Sequence, residues 1–267
     1  MIVTTINVNG VRAAVRERSP ANLGLLAWLS RTASDVVCLQ ETRADDEQLA
    51  AALSEALAHG WHLASAGSHI KGRNGVAILS RIPFVDVRIG LAATEFEDHG
   101  RYLEVGLDGG PRVGSVYVHT GEAGTDRQLE KERFMTALAK RMAELAADGC
   151  DAVICGDWNI AHTENDIKAW KANVKKAGFL PGERQWLTGL LDSGWVDVLR
   201  SVHPDIAGPY SWWSWRGKAF DNDAGWRIDY HLASPGLAAR AVSARVERPA
   251  AYALRWSDHA PVTVEFG

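Results

Sequence analysis

The sequence predicts an α/β protein of two packed β-sheets with helices on their outer faces. Three observations predict it. Short runs rich in Val, Ile or Tyr, bounded by Gly, Pro, Asn or Asp, recur along the 267 residues and read as strands. Segments with apolar residues three and four apart read as amphipathic helices. The two kinds are interspersed rather than strictly alternating, which favours two packed sheets over one doubly wound parallel sheet.

In chain order, the first strand is Ile2–Val8. A helix over Ala21–Arg31 follows, marked by Leu23, Leu26 and Ala27, with Ser19 or Asn22 as its cap. Next come a strand at Asp35–Leu39 and a helix at Asp46–Leu57, carried by Leu49, Leu53 and Leu57. Strands are expected at Gly75–Ser80, Tyr102–Leu107 and Arg112–Val118. The clearest helix is Asp126–Ala146, capped by Asp126, with Leu129, Phe134, Leu138, Met142 and Leu145 on one face. The last strands are Asp151–Cys155, Arg227–Ala233, Ala241–Glu247 and Pro261–Phe266. No repeat, linker or low-complexity stretch interrupts them, so residues 1–267 are expected to form one domain.

A hydrophobic fraction of 46% is ordinary for a globular chain. No run approaches the roughly 18 apolar residues of a spanning helix. The N-terminus, MIVTTINVNG, lacks a basic region followed by an apolar one. No membrane association, a cytoplasmic location and a monomer are therefore expected. Cys38, Cys150 and Cys155 are odd in number and lack metal-site spacing, which argues against a disulfide framework. Cys38 and Cys155 lie in apolar runs and should be buried thiols. The net charge of −4 does not by itself announce a nucleic-acid partner.

The polar residues at strand ends carry the chemistry. Asn7 and Asn9 close the first strand, Glu41 follows the second, and Tyr117 stands near the end of another. The stretch CGDWNIAHTENDI, Cys155–Ile167, delivers Asp157 and Asn159; Asp229 lies in a later strand, and Asp258-His259 precedes the last. Residues two apart in a strand share a face, so Asn7 with Asn9, and Asp157 with Asn159, should point together. Each is unremarkable alone: Asn-Gly is a turn dipeptide, and a strand Tyr is usually half-buried with a wet hydroxyl. Together they form an inventory of hard oxygen and amide ligands with one Asp-His pair. It suits magnesium or manganese and lacks the Cys/His set that zinc prefers.

The ordered set NxNG, QET, YxxxG, GDWNIA, RIDY and SDHAPV resembles the exonuclease III and abasic-site endonuclease family of the endonuclease/exonuclease/phosphatase superfamily. The resemblance covers essentially the whole chain. The inserts Lys171–Arg200 and Tyr210–Tyr230 look like those of the DNA-repair branch, which the superfamily's lipid and inositol phosphatases lack. The resemblance implies a four-layer α/β/β/α sandwich with two mixed sheets. It implies a magnesium-dependent phosphodiesterase (manganese as a substitute) that cleaves 5′ to abasic sites and has 3′-5′ exonuclease or 3′-phosphatase activity. Its partner would be double-stranded DNA with abasic sites or blocked 3′ ends.

By the same resemblance, Glu41 is the principal metal ligand, helped by Asn9 or Asp258, with Asp157 and Asn159 also in the metal's reach. Asp157 positions and deprotonates the attacking water, and Asn159 holds the phosphate or the nucleophile. His259 contacts a phosphate oxygen with Asp229 fixing its ring, Tyr117 stands near the leaving oxygen, and Asn7 orients Asp157. Trp212 and Trp226 line a pocket for the flipped-out sugar. Arg216, Lys218, Arg227, Lys71, Arg73 and Lys171 are expected phosphate contacts, since basic groups beside aromatics suit DNA. The chain departs from the family at Ile6 for Trp, at Arg43 for Lys, and at His119-Thr120 for Pro and an amide. Two other readings use the same residues: a phosphatase for a small or lipid-derived phosphate ester, and a DNA-binding homologue without activity.

Overall fold

A computed structural model describes residues 1–267. Twelve strands are present. They are β1 (Ile2–Asn7), β2 (Val36–Gln40), β3 (His62–Ala66), β4 (Val76–Ser80), β5 (Phe84–Ile89), β6 (Tyr102–Leu107), β7 (Arg112–Tyr117), β8 (Ala152–Asp157), β9 (Val196–Asp197), β10 (Asp229–Ala233), β11 (Ala241–Val246) and β12 (Val262–Phe266). They form two six-stranded sheets, ordered β11-β12-β1-β2-β4-β3 and β5-β6-β7-β8-β10-β9. The pairs β1–β2 and β7–β8 are parallel and the others antiparallel, so both sheets are mixed.

Three apolar clusters make this a sandwich of four layers. Val3, Val36, Cys38, Val113, Val153 and Cys155 fill the space between the sheets. Ile6, Val37 and Leu39 face the other way, onto helices through Leu25, Leu29, Leu49 and Leu53. Val116, Ile154 and Trp158 pack against Phe134, Leu138 and Met142 of the helix Asp126–Ala147 and Leu187 of the helix Pro181–Asp192. Strands covered on both faces lose the apolar–polar alternation, and β2 and β8 are buried at every position.

The nine expected strands are present within two residues of their expected ends. β3, β5 and β9 were not expected, and each is an edge strand or next to solvent: HLASA is small and half-exposed, β5 exposes Val85 and Ile89, and β9 has two residues. The expected helix Asp46–Leu57 is two, Asp46–Ala52 and Ser54–Ala58. The expected helix Ala21–Arg31 runs only over Gly24–Leu29, and neither expected cap serves it; Asn22 instead donates to the carbonyls of Ala253 and Arg255. Thr125 holds the N-cap position of the long helix, with Asp126 inside its first turn. Leu129 leaves the apolar face and is 52% exposed. The first turns of that helix turn Gln128 and Lys131 inward instead, because Glu183 meets them there. The three thiols are free, with Cys38 and Cys155 buried, and no helix is long and apolar enough to cross a membrane.

Candidate active site

The two central parallel pairs bring their C-terminal ends together. Asn7 is opposite Gln40, the residue before Glu41; Tyr117 and Asp229 both lie opposite Asp157. Clefts at the carboxyl ends of parallel strands are where α/β folds gather ligand-binding groups.

The side chains converge by a device that strand alternation does not supply. Asn9, Glu41 and Asn159 each follow a strand end by one or two residues, and each has a φ of 50°. In two of these turns a side chain accepts the backbone N–H two residues on: Asn9 to Asn7 Oδ1 and Asn159 to Asp157 Oδ1, both at 2.9 Å. Such Asx turns tolerate the left-handed region. Asn7/Asn9 and Asp157/Asn159 therefore share the site through a kinked turn, not through continued strand geometry. Gly156 shapes the same strand end. Its φ is 151°, and a Cβ there would stand 1.9 Å from the Val116 carbonyl oxygen. The glycine permits close packing of β8 on β7 rather than close approach of a substrate.

Asn7 joins the two sheets chemically. Its Nδ2 donates to Glu41 Oε1 at 2.8 Å and to Asp157 Oδ2 at 2.9 Å. His259 Nδ1 lies 2.8 Å from Asp229 Oδ2, while Nε2 stands 3.7 Å from Asp157 Oδ2. Ser211 donates to Asp229 Oδ2 at 2.6 Å and accepts the Asp229 and Ile228 N–H groups. Asn9 Nδ2 and Trp212 Nε1 donate to the two oxygens of Asp258, at 2.8 and 3.0 Å.

Electrostatics separates the roles of these groups. Burial pushes the Asp157 carboxyl up to about 7, although the nearby His259 charge pulls it down. Burial alone would lower His259, but the Asp229 and Asp157 carboxylates override it and raise the imidazole to about 10. Burial, then the charges of Glu41 and Asp157, hold the Tyr117 hydroxyl well above its ordinary value. The site thus keeps a carboxylate poised near neutrality beside a cationic imidazole and a neutral phenol.

Glu41, Asp157, Asp229 and Asp258 place four carboxylates around two cations, His259 and Arg43; Arg43 Nε donates to Glu41 Oε2 at 3.0 Å. An excess of buried acid with oxygen and amide donors fits a hard divalent cation. Glu41 has room for one, since its side chain is 16% exposed and lines both cavities described below. Asn159 fits less well as a ligand. Its Oδ1 accepts Thr120 Oγ1 at 3.0 Å, and its Nδ2 donates to Val118 O at 2.8 Å and Asp157 Oδ2 at 3.1 Å, so both amide hydrogens and one of the two oxygen lone pairs are engaged. Thr120 thus turns toward Asn159.

Two cavities meet at Glu41 and Thr120. One, of about 470 Å³, is lined by Asp157, Asn159, Asp258 and His259 on one side and by Lys176, Trp212 and Trp226 on the other. The two indoles meet edge to face at 6.2 Å. The other, of about 980 Å³, is lined by Arg43, Arg73, Arg101, Arg127 and Arg133 together with Glu41, Glu95, Asp126 and Glu130; Arg43, Arg101 and Arg133 are paired with Glu41, Glu130 and Glu95. Lys71 lies exposed on the Arg73 loop, Arg216 and Lys218 lie exposed on a turn near Trp215, and Lys171 covers the Trp170 ring. Arg227 is the exception among the expected phosphate contacts. It is 0% exposed, with Nε 2.6 Å from Asp166 Oδ1 and Nη1 2.8 Å from Asp197 Oδ2. It therefore holds the insert together from inside. Trp213 and Trp158 are core residues, and Asp166 caps a turn with Thr163. Ser211, Arg101, Arg127 and Arg133 were not anticipated in the site; Ser211 lies within the insert Tyr210–Tyr230, as Lys176 lies within the insert Lys171–Arg200.

The sequence profile of the Endonuclease/Exonuclease/phosphatase family matches residues 4–259. The chain is 34% identical to an exodeoxyribonuclease of Bacillus subtilis over 256 residues, covering 96% of this chain and 95% of that protein. It superposes on the 3′-5′ exonuclease (NExo) of Neisseria meningitidis with a TM-score of 0.86 and 36% identity, over 100% of this chain and 99% of the other. An AP endonuclease from Archaeoglobus fulgidus superposes with a TM-score of 0.87 and 29% identity, again over 100% and 99% of the two chains.

Proposed function

Because the chain belongs to the endonuclease/exonuclease/phosphatase family, we propose that it is a DNA-repair phosphodiesterase that incises 5′ to abasic sites and processes 3′ ends. The observation that carries this is the cavity of about 470 Å³ between the Asp157–His259–Asp229 cluster and the Trp212–Trp226 wall. It offers apolar faces for an extruded sugar directly opposite a hydrolytic set, with the second cavity alongside, where Arg73 and Arg127 are left without an ion pair for the strand's phosphates. The names of the relatives, an exodeoxyribonuclease and an AP endonuclease, support the same reading.

Asp157 takes a proton from the attacking water, and its value near 7 suits a general base at neutral pH. Asn7 and Asn159 hold its oxygens in one orientation. His259, kept cationic by Asp229, donates to a phosphate oxygen and offsets charge that grows in the transition state. Tyr117, neutral at working pH, faces the leaving oxygen. Glu41 would hold a magnesium or manganese ion, helped by Asn9 Oδ1 and Asp258, and such an ion would supply Lewis-acid stabilisation of the phosphate. Arg73, Lys71, Arg216, Lys218 and Lys171 contact phosphates of double-stranded DNA.

The test is a labelled duplex with one abasic site, incubated with enzyme and magnesium beside 3′-phosphate and undamaged ends. Incision at the abasic site is expected. No incision with either magnesium or manganese would overturn the proposal.

A further inference from the structure

Lys131 is a fully buried lysine, and none of the family motifs in the sequence accounts for it. Its Nζ donates to the backbone carbonyl of Asn159 at 3.0 Å and to Glu183 Oε1 at 2.5 Å; the two side chains are 0% and 1% exposed. Glu183 reaches further. Its Oε2 accepts the N–H groups of Gly178 at 2.6 Å and Leu180 at 3.1 Å, and Gln128 donates to Oε1 at 3.2 Å.

The connected segments come from different parts of the site. Asn159 lies two residues beyond the end of the strand that carries Asp157 and is held at φ 50°. Gly178 belongs to the cavity wall opposite, with Lys176 and Trp226. Gly178 O accepts the Ala161 N–H at 2.8 Å, and a Cβ on Gly178 would come within 3.0 Å of both Asn159 O and the Trp226 ring. The wall and the strand end are therefore in direct contact, with the ion pair bonded to each.

Stability alone does not explain the pair. Exchanging a buried ion pair for apolar groups of like volume is often neutral, and the neighbouring cluster of Phe134, Leu138 and Leu187 shows that this helix pair packs on apolar contacts. What the pair adds is directional bonding to two backbone segments of the site.

We propose that Lys131 and Glu183 are positioning residues that lock the Asn159 end of the catalytic strand to the Gly178 wall of the substrate cavity, so that a substrate seated against that wall meets Asp157 and Asn159 already in register. This rests on the hydrolytic reading above. The pair touches no substrate itself; it acts through Asn159, whose side chain and N–H both bond Asp157.

The test is the double variant Lys131→Met with Glu183→Gln, which removes both charges together and leaves neither buried alone. kcat and KM are measured on the abasic duplex, and hydrogen exchange of the Asn159 amide is followed in the free protein. A shift of about 1 Å at a reacting group costs up to ~10²-fold in rate, so kcat should fall about 10- to 100-fold with KM changed less than about threefold. Exchange at Asn159 should quicken at least about tenfold, a loosening worth ~1.4 kcal/mol. Lys131→Gln with Glu183→Gln, which likewise leaves no charge buried alone, stands in if the first double variant does not fold and should show both effects to a smaller degree. A folded variant with kcat within about twofold of wild type, or with unchanged Asn159 exchange, overturns the proposal. If wild type fails to incise, the hydrolytic reading falls separately, and exchange at Asn159 still decides whether the pair positions it.

Discussion

Replacing Arg227 by Met separates two readings of the same residue. From the sequence, Arg227 is a phosphate contact beside Trp226. In the structure it is a fully buried cation between Asp166 and Asp197, lying 4.5 Å over the Tyr230 ring. Asp166 keeps Arg200 as a partner after the substitution, whereas Asp197 loses its guanidinium. Removing one member of a buried, hydrogen-bonded ion cluster costs about 3–5 kcal/mol. At roughly 2–4 °C per kcal/mol for a chain of this size, Tm should fall about 6–20 °C. Binding of an abasic duplex, measured on the folded protein across a salt series, should keep its slope, because no phosphate contact is lost. A true phosphate contact would lower the slope of log K against log salt by about 0.9 and leave Tm nearly unchanged. A variant whose Tm stays within about 2 °C and whose slope falls by about 1 would refute the structural assignment.

The other predictions concern the frame of the site. Gly156→Ala sets a methyl 1.9 Å from the Val116 carbonyl, so β8 must move by about an ångström, and Asp157 moves with it. Calorimetry should show a loss of at least about 1–3 kcal/mol, and kcat should fall up to about 10²-fold; an unchanged Tm with full activity would contradict this. His231 is buried, with Nε2 3.1 Å from the Val3 carbonyl, and burial holds its imidazole down at about 4. Its unfolded value is about 6.5, so the folded state binds fewer protons between these values. The stabilisation is complete above pH ~6.5 and is lost as pH falls toward 4, for a total of about 3 kcal/mol. His231→Gln keeps a donor to Val3 and should flatten that part of the denaturation profile; a pH-independent difference from wild type would refute the linkage.

The central strands were legible because burial on both faces leaves long apolar runs with polar residues only at their ends. The same contrast marked Glu41, Asp157, Asp229 and His259. What stayed hidden depends on partners distant in sequence. Arg101 and Arg133 look like ordinary surface charges until the loop and the long helix meet around one cavity. Lys131 sits where helical periodicity expects a solvated residue and is buried because Glu183, 52 residues away, receives it. Arg227 misled for the converse reason: its motif neighbours Trp226 and Asp229 face the cavity and His259, while its own side chain turns into Asp166 and Asp197. The helix Pro181–Asp192 did carry a signal, Pro181 at its start and Glu183 two residues on, a capping pattern that could have been read.

The central claim is that Asp157 activates the water in a DNA-cleaving site. It is tested most directly by single-turnover incision of an abasic duplex by Asp157→Asn, with binding measured on the same preparation. Loss of a general base costs about 10²–10⁴-fold in rate. The predicted result is a rate at least about 100-fold below wild type with DNA affinity retained. A rate within about tenfold of wild type would contradict the assignment of the base and the mechanism built on it.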